Sequence, residues 1–204
     1  ALTYMYDFFD SYKNYINKVN HVVFPSEYFA KVSGCLSDKN LYFGSPKYDV
    51  TIDPAEVYTK YGLNPEDKHA LFVYPRARDY NKINVREICD SLVSFGYVPI
   101  IKTRGKDPVD QKYKCFRNFS DESWFPHLSM ELITISDKIV NTGSSMIKEI
   151  VMLGKENVVM NYNIKPSSST KLSELYEKGA REKYLNVYGK ASEKILDHIE
   201  KNYG

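Results

Sequence analysis

The sequence predicts an α/β fold, a parallel sheet covered by helices on both faces, and three observations predict it. Short apolar runs alternate with stretches of three- and four-residue hydrophobic spacing along most of the chain, the pattern of strands and the helices that cover them. Ala70-Leu-Phe-Val-Tyr74 is apolar throughout and Val98-Pro-Ile-Ile-Lys102 nearly so, as a strand buried on both faces must be. The 204 residues, 43% hydrophobic and 26% charged, suffice to bury one sizeable core.

The elements follow in order. Leu2, Met5, Tyr6, Phe9, Tyr12, Tyr15, Ile16 and Val19 fall at helical steps and give residues 1–20 an amphipathic helix. His21–Phe24 reads as a short strand, Pro25-Ser26 as a helix start and Asn40–Phe43 as a second strand. Gly44-Ser-Pro-Lys-Tyr-Asp49 is a turn-rich loop, after which Pro54 opens a helix that runs to Tyr61. Ala70–Tyr74 is the central strand. Val85, Ile88, Leu92 and Phe95 mark a helix that Gly96 stops. In the strand Val98–Lys102, Pro99 requires that the strand begin near an edge or that only its second half pair. Tyr113–Phe116 is a weaker strand, and Pro126–Ile135 is helical. Lys138–Asn141 and Asn157–Met160 are strands on either side of one more helix, and Lys171–Tyr203 is a charged helical tail broken near Gly189.

Charge and cysteine content narrow the classes of function. Lys and Arg number 28 against 26 Asp and Glu, and a net charge of +2 gives no electrostatic reason to expect nucleic acid as a partner. Cys35, Cys89 and Cys115 lie far apart, in no metal-ligand spacing, and their odd number argues against a disulfide framework, so the expected setting is reducing and cytoplasmic. No apolar run is long enough for a transmembrane segment, and the first residues lack the layout of a signal peptide.

In a parallel sheet ligands bind beyond the carboxyl ends of the strands, which directs attention to four loops. Pro75-Arg-Ala-Arg-Asp79 offers Arg76 and Arg78, whose guanidinium groups match phosphate oxygens. Lys102-Thr-Arg-Gly-Lys106 adds Lys102, Arg104 and Lys106, so that five cations focus on two adjacent strand ends in a nearly neutral chain. Ser123-Trp-Phe-Pro126 places aromatic rings in a loop, where Phe125 could stack on a base.

The fourth loop, Asn141-Thr-Gly-Ser-Ser145, leads from strand to helix. Gly143, Ser144 and Ser145 stand where a helix N-terminus favours an anion. With Ser145 as the cap, Ile147, Ile150 and Val151 share the core face, while Lys148, Glu149 and Met152 take the opposite one. Glu149 is then either a surface carboxylate favoured by the helix dipole or, in a sharper role, an acceptor for the hydroxyls of a ribose. The sequence holds no Gly-x-Ser-x-Gly elbow, Walker loop, Gly-x-Gly-x-x-Gly or His-Glu-x-x-His motif, so it offers a nucleotide site without an evident catalytic group.

His21-Val-Val-Phe-Pro-Ser-Glu-Tyr-Phe29, Phe43-Gly-Ser-Pro-Lys-Tyr-Asp49, Leu71-Phe-Val-Tyr-Pro-Arg-Ala-Arg-Asp79 and Ser136–Gly154 stand in an order and spacing that resemble the C-terminal half of a GT-B glycosyltransferase, a three-layer Rossmann-like domain. The resemblance covers roughly residues 20 to 165 and is nearest to the group holding glycerophosphotransferases of wall polymers, capsule transferases and non-hydrolysing UDP-N-acetylglucosamine 2-epimerases. It implies that Gly143, Ser144 and Ser145 bind a donor diphosphate through backbone amides and that Glu149 holds the ribose. It further implies that Arg76 or Arg78 reaches the phosphates and that Phe125 packs on the base.

The donor would be a nucleotide-diphosphate sugar or polyol, with no cofactor and no obligatory metal, and a second, N-terminal half or partner domain would supply the acceptor site. Residues 1–20 would be a connecting helix, 21–165 the nucleotide-binding domain, and 166–204 helices packing on that same domain. Two departures matter. Lys148 stands where the epimerases carry an acidic residue, which disfavours epimerase activity, and Thr103-Arg-Gly105 replaces the His-rich loop usual in the glycerophosphotransferases. An epimerase domain and a non-catalytic α/β interaction domain derived from such a half are the alternatives.

Overall fold

In the computed structural model the described residues are 16–32, 34–75, 82–104, 116–121, 128–142, 144, 146–155, 158–161 and 190–204, with backbone alone at 32, 104, 121, 160 and 161. The chain divides into two compact units, Ala1–Thr51 with Ser168–Gly204, and Ile52–Ser167.

The first unit contains a small parallel βαβ motif. Strand β1 (Val22–Phe24) pairs with β2 (Asn40–Tyr42) in the register Val22↔Asn40 to Phe24↔Tyr42. Between them runs α1 (Glu27–Val32). Ser26, expected as the helix start, is buried and caps α1 by accepting from the Phe29 amide at 3.0 Å. Asn40, also buried, donates from Nδ2 to the Cys35 carbonyl at 2.7 Å and so fixes the entry to β2. Lys39 donates from Nζ to the carbonyls of Ile16 and Val19, at 2.8 and 3.0 Å.

The helix expected over residues 1–20 otherwise lies outside the described residues, as do residues 171–189 of the tail. The tail's described helix is Ala191–Tyr203. Asp49 caps it, its two carboxylate oxygens accepting from Ala191 N at 3.0 Å and Ser192 N at 2.6 Å.

The second unit is a three-layer Rossmann-like domain. Its sheet holds β3 (His69–Val73), β4 (Val98–Arg104), β5 (Arg117–Asp121), β6 (Lys138–Asn141) and β7 (Val159–Asn161) in the order β5-β4-β3-β6-β7, all parallel. Its described helices are α2 (Pro54–Tyr61), α3 (Val85–Ser94), α4 (Leu128–Thr134) and α5 (Ile147–Met152). Right-handed crossovers that run outward in opposite directions from β3 put α3 on one face and α4 and α5 on the other.

Strand alternation divides the core accordingly. Ala70, Phe72 and Tyr74 turn with Ile101 and Val140 toward Val85, Cys89 and Leu92 of α3. Leu71, Ile100 and Ile139 take the other face and, like Met130, Leu132, Ile133, Ile147 and Ile150, are fully or almost fully buried. Fully burying a side chain of this size stabilises the fold by about 1.5–3 kcal/mol before conformational entropy is subtracted.

Caps and stops match the sequence. Asp53 accepts from Ala55 N at 2.9 Å ahead of Pro54, the first residue of α2. Asn84 and Glu87 bond reciprocally at the start of α3, the amide of Glu87 to Asn84 Oδ1 and Asn84 Nδ2 to the Glu87 carboxylate. Gly96, at φ +81°, ends α3, with its amide on the Val93 carbonyl and that of Tyr97 on Leu92.

Pro99 lies in an interior strand, and the ladder explains how. Val98 donates to the Lys68 carbonyl on the β3 side, so Pro99 faces the β5 side, where pairing begins only at Ile100↔Arg117. No ladder hydrogen bond is lost.

Two expectations need correction. The strand expected at 113–116 has residues 113–115 outside the described set, and the described strand is Arg117–Asp121. It is the outermost strand on its side, and Arg117, Asn118 and Ser120 are exposed, so it lacks the apolar signature of its neighbours. Met152, expected opposite the core face of its helix, is buried at 5% exposure as the last residue of α5. Among the described residues no helix is long and apolar enough to cross a membrane.

Candidate functional site

Counted from β3, the sheet has the order 3-2-1-4-5: the chain moves outward through β4 and β5, then returns to place β6 on the opposite side of β3. Loops leaving β3 and β6 therefore part in opposite directions, and the crevice between them is the position where doubly wound sheets bind ligands. All four loops singled out from the sequence leave this one carboxyl edge, because β3, β4, β5 and β6 are parallel.

At the crevice the two strand ends are tied together. Thr142, which follows β6 and is buried, donates from Oγ1 to the carbonyl of Val73, the last residue of β3, at 2.8 Å. Asn141 is fully buried, and its Oδ1 accepts from the Ser144 amide at 3.1 Å. The Ser144 hydroxyl in turn accepts from the Met146 amide at 3.3 Å, and Ile147 donates to the Ser144 carbonyl at 3.3 Å. Side chains of Asn and Ser thus take the place of backbone partners and steer the chain from strand to helix without a ladder.

Of the residues expected at the site, Ser144 and Glu149 stand on this turn and on α5, both partly exposed. Helix α5 begins at Ile147 with Met146 in the cap position and no side-chain cap bond; Ser145, expected as the cap, lies outside the described residues with Gly143. Glu149 lies off the core face, where Ile147, Ile150 and Val151 are buried. Lys102 and Arg104 belong to β4 itself, as its fifth and last residues. The Lys102 side chain is only 8% exposed, with Nζ donating to the Thr103 carbonyl at 3.3 Å. Arg76, Arg78 and Phe125 lie outside the described residues, and so does Lys106.

Sequence reasoning placed Asn141 at the end of a strand, where the loop begins, and Thr142 in the loop, and gave neither a role. The signal was present: two residues able to bond through their side chains follow Ile139-Val140, where an apolar strand gives way to a turn.

A second polar cluster lies toward the amino edge. Glu131 of α4, 8% exposed, receives Lys60 Nζ at 2.8 and 2.9 Å and the Tyr61 hydroxyl, both from the last turn of α2. Arg117, the first residue of β5, donates to the Tyr61 and Gly62 carbonyls at 2.5 and 3.3 Å. Burial, and then the hydrogen bond to Glu131, push the Tyr61 phenol up to about 12 from 10.0. The Glu131 hydrogen bond also raises Lys60 above its ordinary value. Burial, and then the charge of Asp137, raise Tyr58. These groups fasten α2 to α4 and to the start of β5, away from the crevice.

No family model matches the chain, and no curated protein sequence matches it. Solved structures do. Three structures of the wall teichoic acid polymerase TagF superpose with TM-scores of 0.63, 0.61 and 0.60 at 19%, 15% and 18% identity, the first of them a histidine-to-asparagine variant soaked with CDPG. Each match covers 95% of this chain and 59–60% of the polymerase chain. This likeness, with the parallel sheet and its strand order, gives the chain a three-layer α/β fold that most of its length shares with these polymerase structures.

Proposed function

We propose that this chain is the donor-binding domain of a GT-B glycosyltransferase and takes a nucleotide-diphosphate sugar or polyol at the carboxyl edge of its five-stranded sheet. The observation that carries the reading is the reversal of strand order between β3 and β6, closed by the bond from Thr142 to Val73. The turn of Gly143, Ser144 and Ser145 receives the diphosphate, and Glu149 accepts from the ribose hydroxyls. Arg76, Arg78, Lys102 and Arg104 supply positive charge, and Phe125 packs on the base.

The Oδ1 of Asn141 stands as an oxygen acceptor at the Ser144 amide. A phosphate oxygen has the same chemistry and replaces it when the carboxamide rotates. Such a site works by stabilising the departing diphosphate electrostatically, without an obligatory metal. Because the chain spans 59–60% of the polymerase chains, the acceptor site is assigned to a second half or partner domain.

The test is a binding screen of UDP, GDP, CDP and CDPG by saturation-transfer NMR, followed by calorimetry with Glu149→Ala. The expected result is binding of at least one nucleotide, weakened ~10-fold or more in the variant, about 1.4 kcal/mol. Binding of none would refute the donor-site reading in favour of a non-catalytic module. Unchanged affinity in the variant would remove Glu149 from the ribose.

A further inference from the structure

Outside the crevice, the first unit gathers nitrogen and oxygen donors on one point of the C-terminal helix. His21 immediately precedes β1, and its Nδ1 lies 3.4 Å from His198 Nε2 and 3.2 Å from the Tyr203 hydroxyl. The two imidazoles meet edge to face with centroids 4.9 Å apart, and the Phe43 ring lies against His198 at 5.7 Å. Both histidines are partly buried, while Tyr203 is 56% exposed. Without a metal the contacts form a hydrogen-bonded cluster: the Asn202 carboxamide lies 3.4 Å from His198 Nδ1, and His198 Nε2 and the Tyr203 hydroxyl both lie against His21 Nδ1. Two polar atoms thus converge on one ring nitrogen.

We infer that His21 Nδ1, His198 Nε2 and the Tyr203 hydroxyl form a binding site for a divalent transition metal of the zinc class. The spacing is the argument. Two ligands on a tetrahedral ion with metal–nitrogen bonds of about 2.0–2.1 Å stand about 3.3–3.4 Å apart, and the spacings of 3.4 and 3.2 Å lie close to that edge. Imidazole nitrogens suit zinc, copper and nickel, and a phenol oxygen completes a three-donor face open to solvent on its fourth side.

Among the described residues no three His, Cys, Asp or Glu gather to hold a metal, and this site is built instead from two histidines and a tyrosine. The cation takes the place of the contact between the imidazoles, His198 presenting a bare Nε2 in its Nδ1–H tautomer and His21 a bare Nδ1 in its Nε2–H tautomer, and Phe43 packs against His198. A metal there ties residue 21 to residues 198 and 203, so that it binds only the docked helix and stabilises that docking. The inference is independent of the proposed donor site.

The experiment titrates the full chain with Zn²⁺ by calorimetry and with Co²⁺ by visible absorption. Saturable binding of about one equivalent, with intense tetrahedral Co²⁺ bands, is the expected result. His21→Gln and His198→Gln each abolish it, and Tyr203→Phe weakens it. Against the chance that a histidine variant does not fold, imidazole NMR of the unaltered protein gives a second reading. Of the four histidines, His21 and His198 shift together on adding Zn²⁺ while His69 does not. Absence of saturable binding, binding undiminished in both histidine variants, or shifts that spare His21 and His198 would each overturn the assignment.

Discussion

At the residue scale, the most consequential atoms are those that pair at one end of the sheet. Thr142 Oγ1 on the Val73 carbonyl is a single neutral hydrogen bond between buried groups, and its removal leaves an acceptor to be satisfied in a place shielded from water. Thr142→Val keeps the shape and removes the donor; it is expected to cost about 1–3 kcal/mol, read from urea unfolding. A variant as stable as the parent would show that the strand ends hold together by other means. Tyr61 gives a pH-dependent counterpart. Its phenol is raised to about 12 in the folded chain from 10.0, so its contribution is complete below pH 10 and is lost as pH rises toward about 12. Lys60, raised by the same carboxylate, acts in the same direction. The drop in the urea midpoint between about pH 9 and about pH 11 is therefore expected to shrink in Tyr61→Phe without vanishing. An equal drop in both proteins would mean that the Glu131 contact is not felt in stability.

At the element scale, the helices differ in where their capping groups come from. Asp53 and Asn84 cap from the adjoining residue, and both caps could be foreseen from Asp-Pro and from Asn-x-x-Glu. The C-terminal helix takes its acceptor from Asp49, and no local pattern announces that. Asp49→Ala is expected to cost about 0.5–2 kcal/mol and to speed amide exchange in the first turn of Ala191–Tyr203 before it affects β3 or β4. Uniform acceleration across both units would argue against a local cap. Helix α5 teaches a related point. Its core face was legible from spacing, but the burial of Met152 was not, since helical spacing sets that side chain away from the core face of Ile147, Ile150 and Val151.

At the scale of the whole molecule, the sequence was most informative where physics is local. Central strands buried on both faces announce themselves by unbroken apolar runs, and β3 and β4 were placed within two residues. Strand β5 was displaced toward the apolar Tyr113–Phe116 because an outer strand can be made of Arg, Asn and Ser. The parallel direction of the strands, which follows from their unbroken apolar runs, puts the four loops on one carboxyl edge. What the sequence could not supply was the order β5-β4-β3-β6-β7, hence which two of the four loops flank the crevice, or the partners of Asn141 and Thr142. Those depend on contacts between residues as much as 69 positions apart.

The Asp49 cap carries a consequence for how the chain is made. Its partner amides come 142 and 143 positions later, and the whole of Ile52–Ser167 is synthesised in between. The unit Ile52–Ser167 is continuous and can complete its sheet as it leaves the ribosome, whereas the cap at Asp49 in the other unit can form only after residues 191 and 192 emerge. A ribosome stalled before residue 191 would display a finished five-stranded sheet while the Asp49 carboxylate still awaited the two amides it caps.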